Sequence, residues 1–229
     1  MLVLPMSFES QLNFYCPILN PALRCTKEQV LEQVRDCMDG IGQGLGNIAG
    51  LDIDQSSTNG KQYRLKSARL CRIAEVLYDY AVEGVWPDTG RVGEGEHLDD
   101  IVGDMAFLSG TARVAAELYG SEVPTFLEKL LGMALLRTQL YANVEGLELD
   151  YATLATDLSP LTLQHVAILA QMTEKAVRNA TQPTAKDRLE TIKVGAKTMV
   201  THEEALHWLS NRRNFKPTII PDNVRPQTH

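Results

Sequence analysis

The chain has 229 residues, with 22 basic and 29 acidic side chains, a net charge of −7 and 44% hydrophobic residues. That balance belongs to a globular protein with enough chain to bury a core without disulfide or metal staples, and it excludes a polycation that coats nucleic acid along its whole length. No apolar run approaches the roughly 20 residues of a membrane-spanning helix. The opening MLVLPM has no cationic lead and is interrupted by Pro5, unlike a secretory signal.

In chain order, residues 1–24 contain Pro5, Pro17 and Pro21 and read as an extended lead-in. Thr26, with Gln29 three residues on, opens a helix through a capping box. Val30, Val34, Cys37, Ile41, Leu45 and Ile48 then recur at helical spacing and form one apolar seam. A second helix is expected over 67–85, with Leu70, Ile73, Ala74, Leu77 and Ala81 inward. A third begins near Glu96, breaks at Ser109-Gly110 and continues with Ala112, Ala115, Leu118 and Tyr119. A fourth starts near Pro124, a residue suited to a first helical turn. Its apolar residues from Phe126 to Leu136 cover too wide a face for a surface helix, so it is central or forms a subunit interface.

Two motifs in this acidic part invite a chemical reading. Gly44-Leu45-Gly46-Asn47-Ile48-Ala49 fits G-x-G-x-x-A, but that dinucleotide motif needs a strand before it, and the preceding KEQVLEQVRDCMDG is helical. The glycines are expected to permit close helix contact or a kink. Gly60-Lys61 lacks the rest of a phosphate loop and reads as an Asn59-Gly60 turn. Glu96, Asp100 and Asp104 are four apart beside Asp99, so a helix would place them on one face where magnesium could bind. No second acidic cluster of matching regularity accompanies them, and a solvated acidic face at a helix N-terminus explains them more simply. Cys16, Cys25, Cys37 and Cys71 are too widely spaced for a CxxC pair and read as reduced, mostly buried thiols of a cytoplasmic protein. His202 and His207, five apart, do not share a helical face for a metal.

The charge is divided unequally. Residues 159–229 hold ten basic and six acidic side chains, net +4, which leaves −11 on residues 1–158. A basic piece on an acidic body points to a polyanionic partner for the basic piece. Within it, Thr162 can cap a short helix carrying Val166, Ala167 and Ala170, and Thr173 can cap another carrying Ala176, Val177 and Ala180. About three residues separate them, so the two helices must cross steeply around their apolar residues. Gln171 falls where the turn favours a left-handed backbone, a position that suits glycine. The runs 189–193 and 197–200 read as a hairpin around Val194-Gly195-Ala196. Thr201 and Glu204 then form a capping box, with Val200 and Ala205 at the staple positions. Ala205, Trp208 and Leu209 face inward, and Arg212 and Arg213 occupy the last turn of that helix.

Helix, turn, helix, basic hairpin, helix is the order of a winged helix-turn-helix. The spelling LTLQHVAILAQMTEKAVRNAT…RLETIKVGAKTMVTHEEALHWLSNRRNFKPT resembles the small winged domains of excisionase and MerR-type DNA-binding proteins. In those, a threonine-led first helix, a V-R pair in the second and an E-A-x-x-W-L third helix recur. The resemblance covers about a quarter of the chain.

The expected fold is therefore mainly α: a helical bundle over 1–158 that serves assembly, a winged helix-turn-helix with a small β-hairpin over 159–218, and a tail over 219–229. The resemblance implies a sequence-specific double-stranded DNA-binding protein, a transcriptional regulator or recombination accessory factor, rather than an enzyme. Residues 173–181 would be the recognition helix, with Glu174, Lys175, Arg178, Asn179 and Gln182 outward. Arg178 and Lys175 would make the main helix contacts, since arginine reads guanine bidentately and asparagine can read adenine. Lys193 and Lys197 on the wing would meet phosphates or the minor groove. The expected DNA-binding set is Thr173, Lys175, Arg178, Asn179, Lys186, Arg188, Lys193 and Lys197. No cofactor, metal or membrane is expected, and a homodimer formed through the helical part, for which the apolar excess over 124–141 argues, would raise avidity. Two other readings are a protein-interaction adaptor that reuses the winged scaffold, and a helical metal-dependent hydrolase using Glu96, Asp100 and Asp104.

Overall fold

The computed structural model describes residues 7–17, 19–48, 60–146, 159–222 and 224. The readings of Pro5, Ala49, Asn59, Arg225 and the Ile48 side chain lie outside them. Among the described residues the protein is mainly helical, with eight α-helices and one small three-stranded antiparallel sheet.

The first helix, α1 (Phe8–Tyr15), replaces the expected extended lead-in. The Ser7 hydroxyl caps it, accepting from the Ser10 N–H at 3.2 Å. Phe8 and Leu12, four apart, bury one face. Pro5 and Pro17 bracket this helix in the sequence rather than interrupt it, so proline count was a poor guide here.

Helix α2 (Lys27–Ile48) opens with the expected capping box. The Gln29 N–H donates to Thr26 Oγ1 at 3.2 Å and the Thr26 N–H to Gln29 Oε1 at 2.9 Å. The predicted seam holds for Val30, Val34 and Cys37, which are buried, but Leu45 is exposed. Gly44 does permit close contact: a Cβ there would come 2.9 Å from the Tyr119 ring. Helix α3 (Gly60–Ala81) starts earlier than expected and buries Ile73, Ala74, Leu77 and Ala81. A single 3-10 turn, Thr89–Arg91, follows.

Helix α4 (Leu98–Tyr119) runs straight through Ser109-Gly110, where a break was expected. Leu108, Ser109 and Ala112 are all buried on its inner face. That packing outweighs the cost of about 1 kcal/mol that glycine imposes on a helix interior. The helix stops at Gly120, which takes the left-handed conformation at φ 73°.

Helix α5 (Thr125–Glu145) is central, and every side chain from Leu127 to Ala142 is buried. Its start has no side-chain cap of its own, because Pro124 precedes it. Gln33 of α2 supplies one, its Oε1 accepting from the N–H groups of Phe126 at 2.8 Å and Leu127 at 3.0 Å. The apolar width that suggested a subunit interface is thus used up within one chain. It gives no argument for a dimer through 124–141.

Strand β1 (Leu161–Thr162) leads into α6 (Leu163–Ala170) and α7 (Glu174–Ala180). Strands β2 (Ile192–Val194) and β3 (Lys197–Val200) then precede α8 (His202–Ser210). The sheet order is β1-β3-β2, with Leu161 opposite Val200 and Ile192 opposite Met199. Three local expectations need correction. Val194 pairs with Lys197, so the hairpin loop is the two residues Gly195-Ala196, with Gly195 at φ 60°, rather than three. Leu189 does not begin the strand; it is fully buried ahead of it, its N–H donating to the Ala180 carbonyl at 2.9 Å. Arg212 and Arg213 lie beyond the end of α8 rather than in its last turn.

Helices α6 and α8 both pack against α5, and one continuous cluster of buried side chains runs from Phe8 to Ile220. A segment after α8 straps the two parts together. The buried Arg137 of α5 donates through Nε to the Ala81 carbonyl at 3.2 Å, and through Nη1 to the Lys216 carbonyl at 2.7 Å and Thr218 Oγ1 at 2.8 Å. The Thr218 N–H donates to the Tyr141 hydroxyl at 2.5 Å.

Candidate nucleic-acid interface

Three threonines set the helix starts around the candidate interface. The hydroxyls of Thr162, Thr173 and Thr201 accept from the N–H groups of His165 at 3.1 Å, Ala176 at 3.2 Å and Glu204 at 3.3 Å. Only the first belongs to a reciprocal box, closed by His165 Nδ1. Glu204 does not reach back to Thr201 as expected; its Oε1 accepts from the Glu190 N–H at 3.0 Å and so ties α8 to the approach to β2.

Helices α6 and α7 are separated at Gln171, which holds φ 51° and ψ 46°. It is the one non-glycine residue with positive φ among the described residues. Its backbone N–H bonds the Ile168 carbonyl at 3.2 Å, and its side-chain Nε2 donates to the Asn214 carbonyl at 3.2 Å. That second bond offsets part of the cost of the left-handed backbone. Val166, Ala167 and Ala170 of α6 and Val177 of α7 are fully buried, while Met172 and Ala180 pack partly buried against the same cluster.

This packing leaves the other side of α7 free. Lys175, Arg178 and Asn179 are exposed, as is Gln182 just past the helix, and Glu174 is half-buried. Arg178 Nη2 pairs with Glu174 Oε1 at 2.5 Å, one helical turn away, an ion pair the spacing made legible but the sequence reading did not use. Thr173 is also exposed, but its hydroxyl is committed to the cap, which makes it a positioning residue for α7.

The remaining cations come from the loop and the hairpin. Lys186 and Arg188 are exposed on either side of Asp187. Asp187 is anchored twice: its carbonyl accepts from Trp208 Nε1 at 3.1 Å, and its carboxylate pairs with Arg212. The Arg212 guanidinium in turn lies 3.8 Å from the Trp208 ring centre. Arg212 therefore braces the loop rather than forming part of the free basic surface. Arg213 is exposed. Lys193 lies opposite Thr198 and donates to its Oγ1 at 2.7 Å, while Lys197 lies opposite Val194. Cross-strand partners share a face, so the two wing lysines project from opposite faces of the hairpin. Ile192 and Val194, on the Lys197 face, are exposed apolar residues. Lys197 also acts on the carboxyl of Glu9, which is held below its usual range first by a hydrogen bond from His165 and then by the charges around it.

Comparison with protein-family models, curated proteins and solved structures finds no match to this chain.

The two motifs of the acidic part take structural places. The Gly44 motif starts inside α2 with no strand before it, so the requirement for a phosphate-binding turn is not met. Helix α4 begins at Leu98, after Glu96, so the three carboxylates do not share a helical face as expected. Asp100 Oδ2 accepts from the His97 N–H at 3.0 Å and caps α4. Arg69 bonds Glu96 Oε1 at 2.7 Å and Asp104 Oδ2 at 2.5 Å, which places a guanidinium where a metal hydrolase would need its ion. Among the described residues no group of three or more His, Cys, Asp or Glu is placed to hold a metal. No described helix is long and apolar enough to cross a membrane.

Proposed function

We propose that this chain is a sequence-specific double-stranded DNA-binding protein, a cytoplasmic transcriptional regulator or recombination accessory factor, whose residues 159–218 work as a winged helix-turn-helix. The supporting observation is α7: a short helix turned away from α6 at Gln171, buried through Val177 and open on the side that carries Lys175, Arg178 and Asn179. On this reading α7 enters the major groove. Arg178 exchanges its bond to Glu174 for a base edge, and Asn179 and Lys175 read or brace alongside it. Lys186 and Arg188 sit on phosphates. The wing stands edge-on, so that Lys193 and Lys197, on opposite faces, each meet one backbone of the minor groove. No reaction is assigned to the chain; it acts by binding.

The experiment is a selection of bound sequences from random duplexes, followed by anisotropy titrations of the selected site across a salt series. Four phosphate contacts per copy predict a logarithmic salt slope of about −4. Arg178→Ala should weaken the selected site at least about tenfold while leaving random-duplex binding nearly unchanged. A wild-type chain that binds the selected duplex no better than Arg178→Ala does in low salt would overturn the reading.

An adaptor reading draws on a different observation, the exposed Ile192 and Val194 on β2, which suit a protein surface better than a phosphate. It predicts binding that is insensitive to salt and lost in Val194→Asp, with no nucleic acid recovered.

A further inference from the structure

A cleft of about 300 Å³ opens where α1, the chain from Cys16 to Asn20 and α6 meet. That volume is at the lower end of small-molecule sites, which join apolar walls to a few placed polar groups. The apolar part of the lining includes Leu12 and Ile168, both buried, and Leu19. Bonds to the central helix hold it in place. Lys129 of α5 donates to the carbonyls of Ile168 at 3.1 Å and Pro21 at 2.8 Å. Leu19 sits so close over α5 that a Cβ at Gly132 would come 2.8 Å from its Cδ2. Asn20 Oδ1 accepts from the Ala22 N–H at 3.1 Å. A cleft braced in this way needs little ordering to take a ligand.

Its electrostatics are those of a single carboxylate. Glu9 is the one charged residue of the lining among the described residues, and its side chain is 55% exposed. A surface carboxylate with that freedom ordinarily turns in water and loses entropy when it pairs. Here His165, whose side chain is only 7% exposed, directs it: Nε2 donates to Glu9 Oε2 at 3.1 Å. The imidazole is itself fixed. Its Nδ1 accepts from the Thr162 N–H at 3.4 Å, which leaves Nε2 to carry the ring proton, and the Phe8 ring packs edge-on with 6.2 Å between centres. The bond from His165 holds the Glu9 carboxyl below its usual range, against the burial that would raise it. Lys197 of the wing adds its charge from outside the lining, and Asn13 adds a further hydrogen bond. Cys16 contributes no charge, because burial pushes its thiol up and keeps it protonated. Both ring nitrogens of His165 are committed, so the lining offers an anion no cationic donor while Glu9 repels it.

We propose that this cleft binds a small primary amine with a short aliphatic body. The ammonium pairs with Glu9 and donates to the carboxamide of Gln164, which is exposed in the lining. The aliphatic body covers Leu12, Leu19 and Ile168. No residue of the candidate DNA set lines the cleft, and the inference does not rest on the DNA reading.

The test is two-dimensional NMR of the full chain titrated with n-pentylammonium, n-pentanol and pentanoate, which match in length and differ in charge. Pentylammonium should shift the resonances of Leu12, Leu19 and Ile168 with a Kd of about 1 mM or tighter. Pentanol should bind at least about tenfold more weakly, and pentanoate should leave these resonances unmoved. Glu9→Gln keeps the shape and an acceptor for His165. It should reduce the affinity for pentylammonium to that for pentanol and leave pentanol binding unchanged. Asn13→Trp, at an exposed position of the lining, should fill the cleft and abolish binding of both, with resonances elsewhere unmoved. No shift of these residues by pentylammonium up to about 20 mM, equal binding of amine and alcohol, wild-type amine affinity in Glu9→Gln, or binding that survives Asn13→Trp would each overturn the proposal.

Discussion

Lys129 has no carboxylate to pair with among its described partners. Its ammonium lies buried in α5 and donates to the carbonyls of Pro21 at 2.8 Å and Ile168 at 3.1 Å, joining the segment before α2 to α6. Burial pushes its pKa down to about 7. Below that value the folded and unfolded chains both hold the proton. Between about 7 and the ordinary lysine value only the unfolded chain does, so stability rises with pH across that window. The slope is about 1.4 kcal/mol per pH unit once the folded-state proton is gone. Urea melts should therefore show the wild type gaining about 2 kcal/mol more than Lys129→Met between pH 7 and 8.5. Equal pH dependence of the two proteins would contradict this. The thiols belong to the same scale. Burial raises Cys25 to about 11 and Cys37 to about 12, which leaves both protonated and unreactive near neutrality.

Among the elements, α5 depends most on its neighbours. Pro124 offers its first turn no side-chain acceptor, and Gln33 fills that role from another helix. Gln33→Met keeps the volume and removes the acceptor, leaving the buried Leu127 N–H and the partly buried Phe126 N–H without that partner. It should cost about 2 kcal/mol in urea melts, with little change in the denaturant slope. The charged side chains of α5 are held in a comparable way. Arg113 Nε and Nη2 both bond Glu128 Oε1, at 2.9 and 2.6 Å, so the fully buried carboxylate is neutralised by a neighbouring helix. Threonine caps that act within a few residues, as at Thr26, Thr162, Thr173 and Thr201, announced their helices in the sequence. A cap delivered from 93 residues away did not, and neither did the continuity of α4 through Gly110.

At the scale of the whole molecule, the continuous core makes the acidic and basic parts one cooperative unit. The two tryptophans allow a direct check, because Trp86 lies in the first part and Trp208 in the second. Single-tryptophan variants made by Trp86→Phe and Trp208→Phe should melt with coincident fluorescence and circular dichroism transitions within each protein. The strap after α8 enforces this coupling. Gly84 sits at φ 72°, and a Cβ there would lie 2.5 Å from the Lys216 carbonyl oxygen and 2.8 Å from that of Pro217. Gly84→Ala should destabilise both parts together, by about 2 kcal/mol or more, and lower the two tryptophan midpoints equally. Separate transitions would mean that the parts fold independently.

The sequence by itself determined much of the local order of this protein: most of the helices after α1, where threonine caps start four of them, that a basic hairpin turns around Gly195, and that Arg178 shares a face with Lys175 while Val177 points away. These follow from periodicity and capping, which act over one or two turns. Only the tertiary structure decided that α5 is enclosed on all sides, that Arg69 answers Glu96 and Asp104, that Arg212 braces Asp187 through Trp208, and that Lys193 and Lys197 stand on opposite faces of the wing. Each of these depends on partners far apart in the chain or on strand register. Neither is written in the spacing of nearby residues, because packing joins side chains by distance in space rather than by position in sequence.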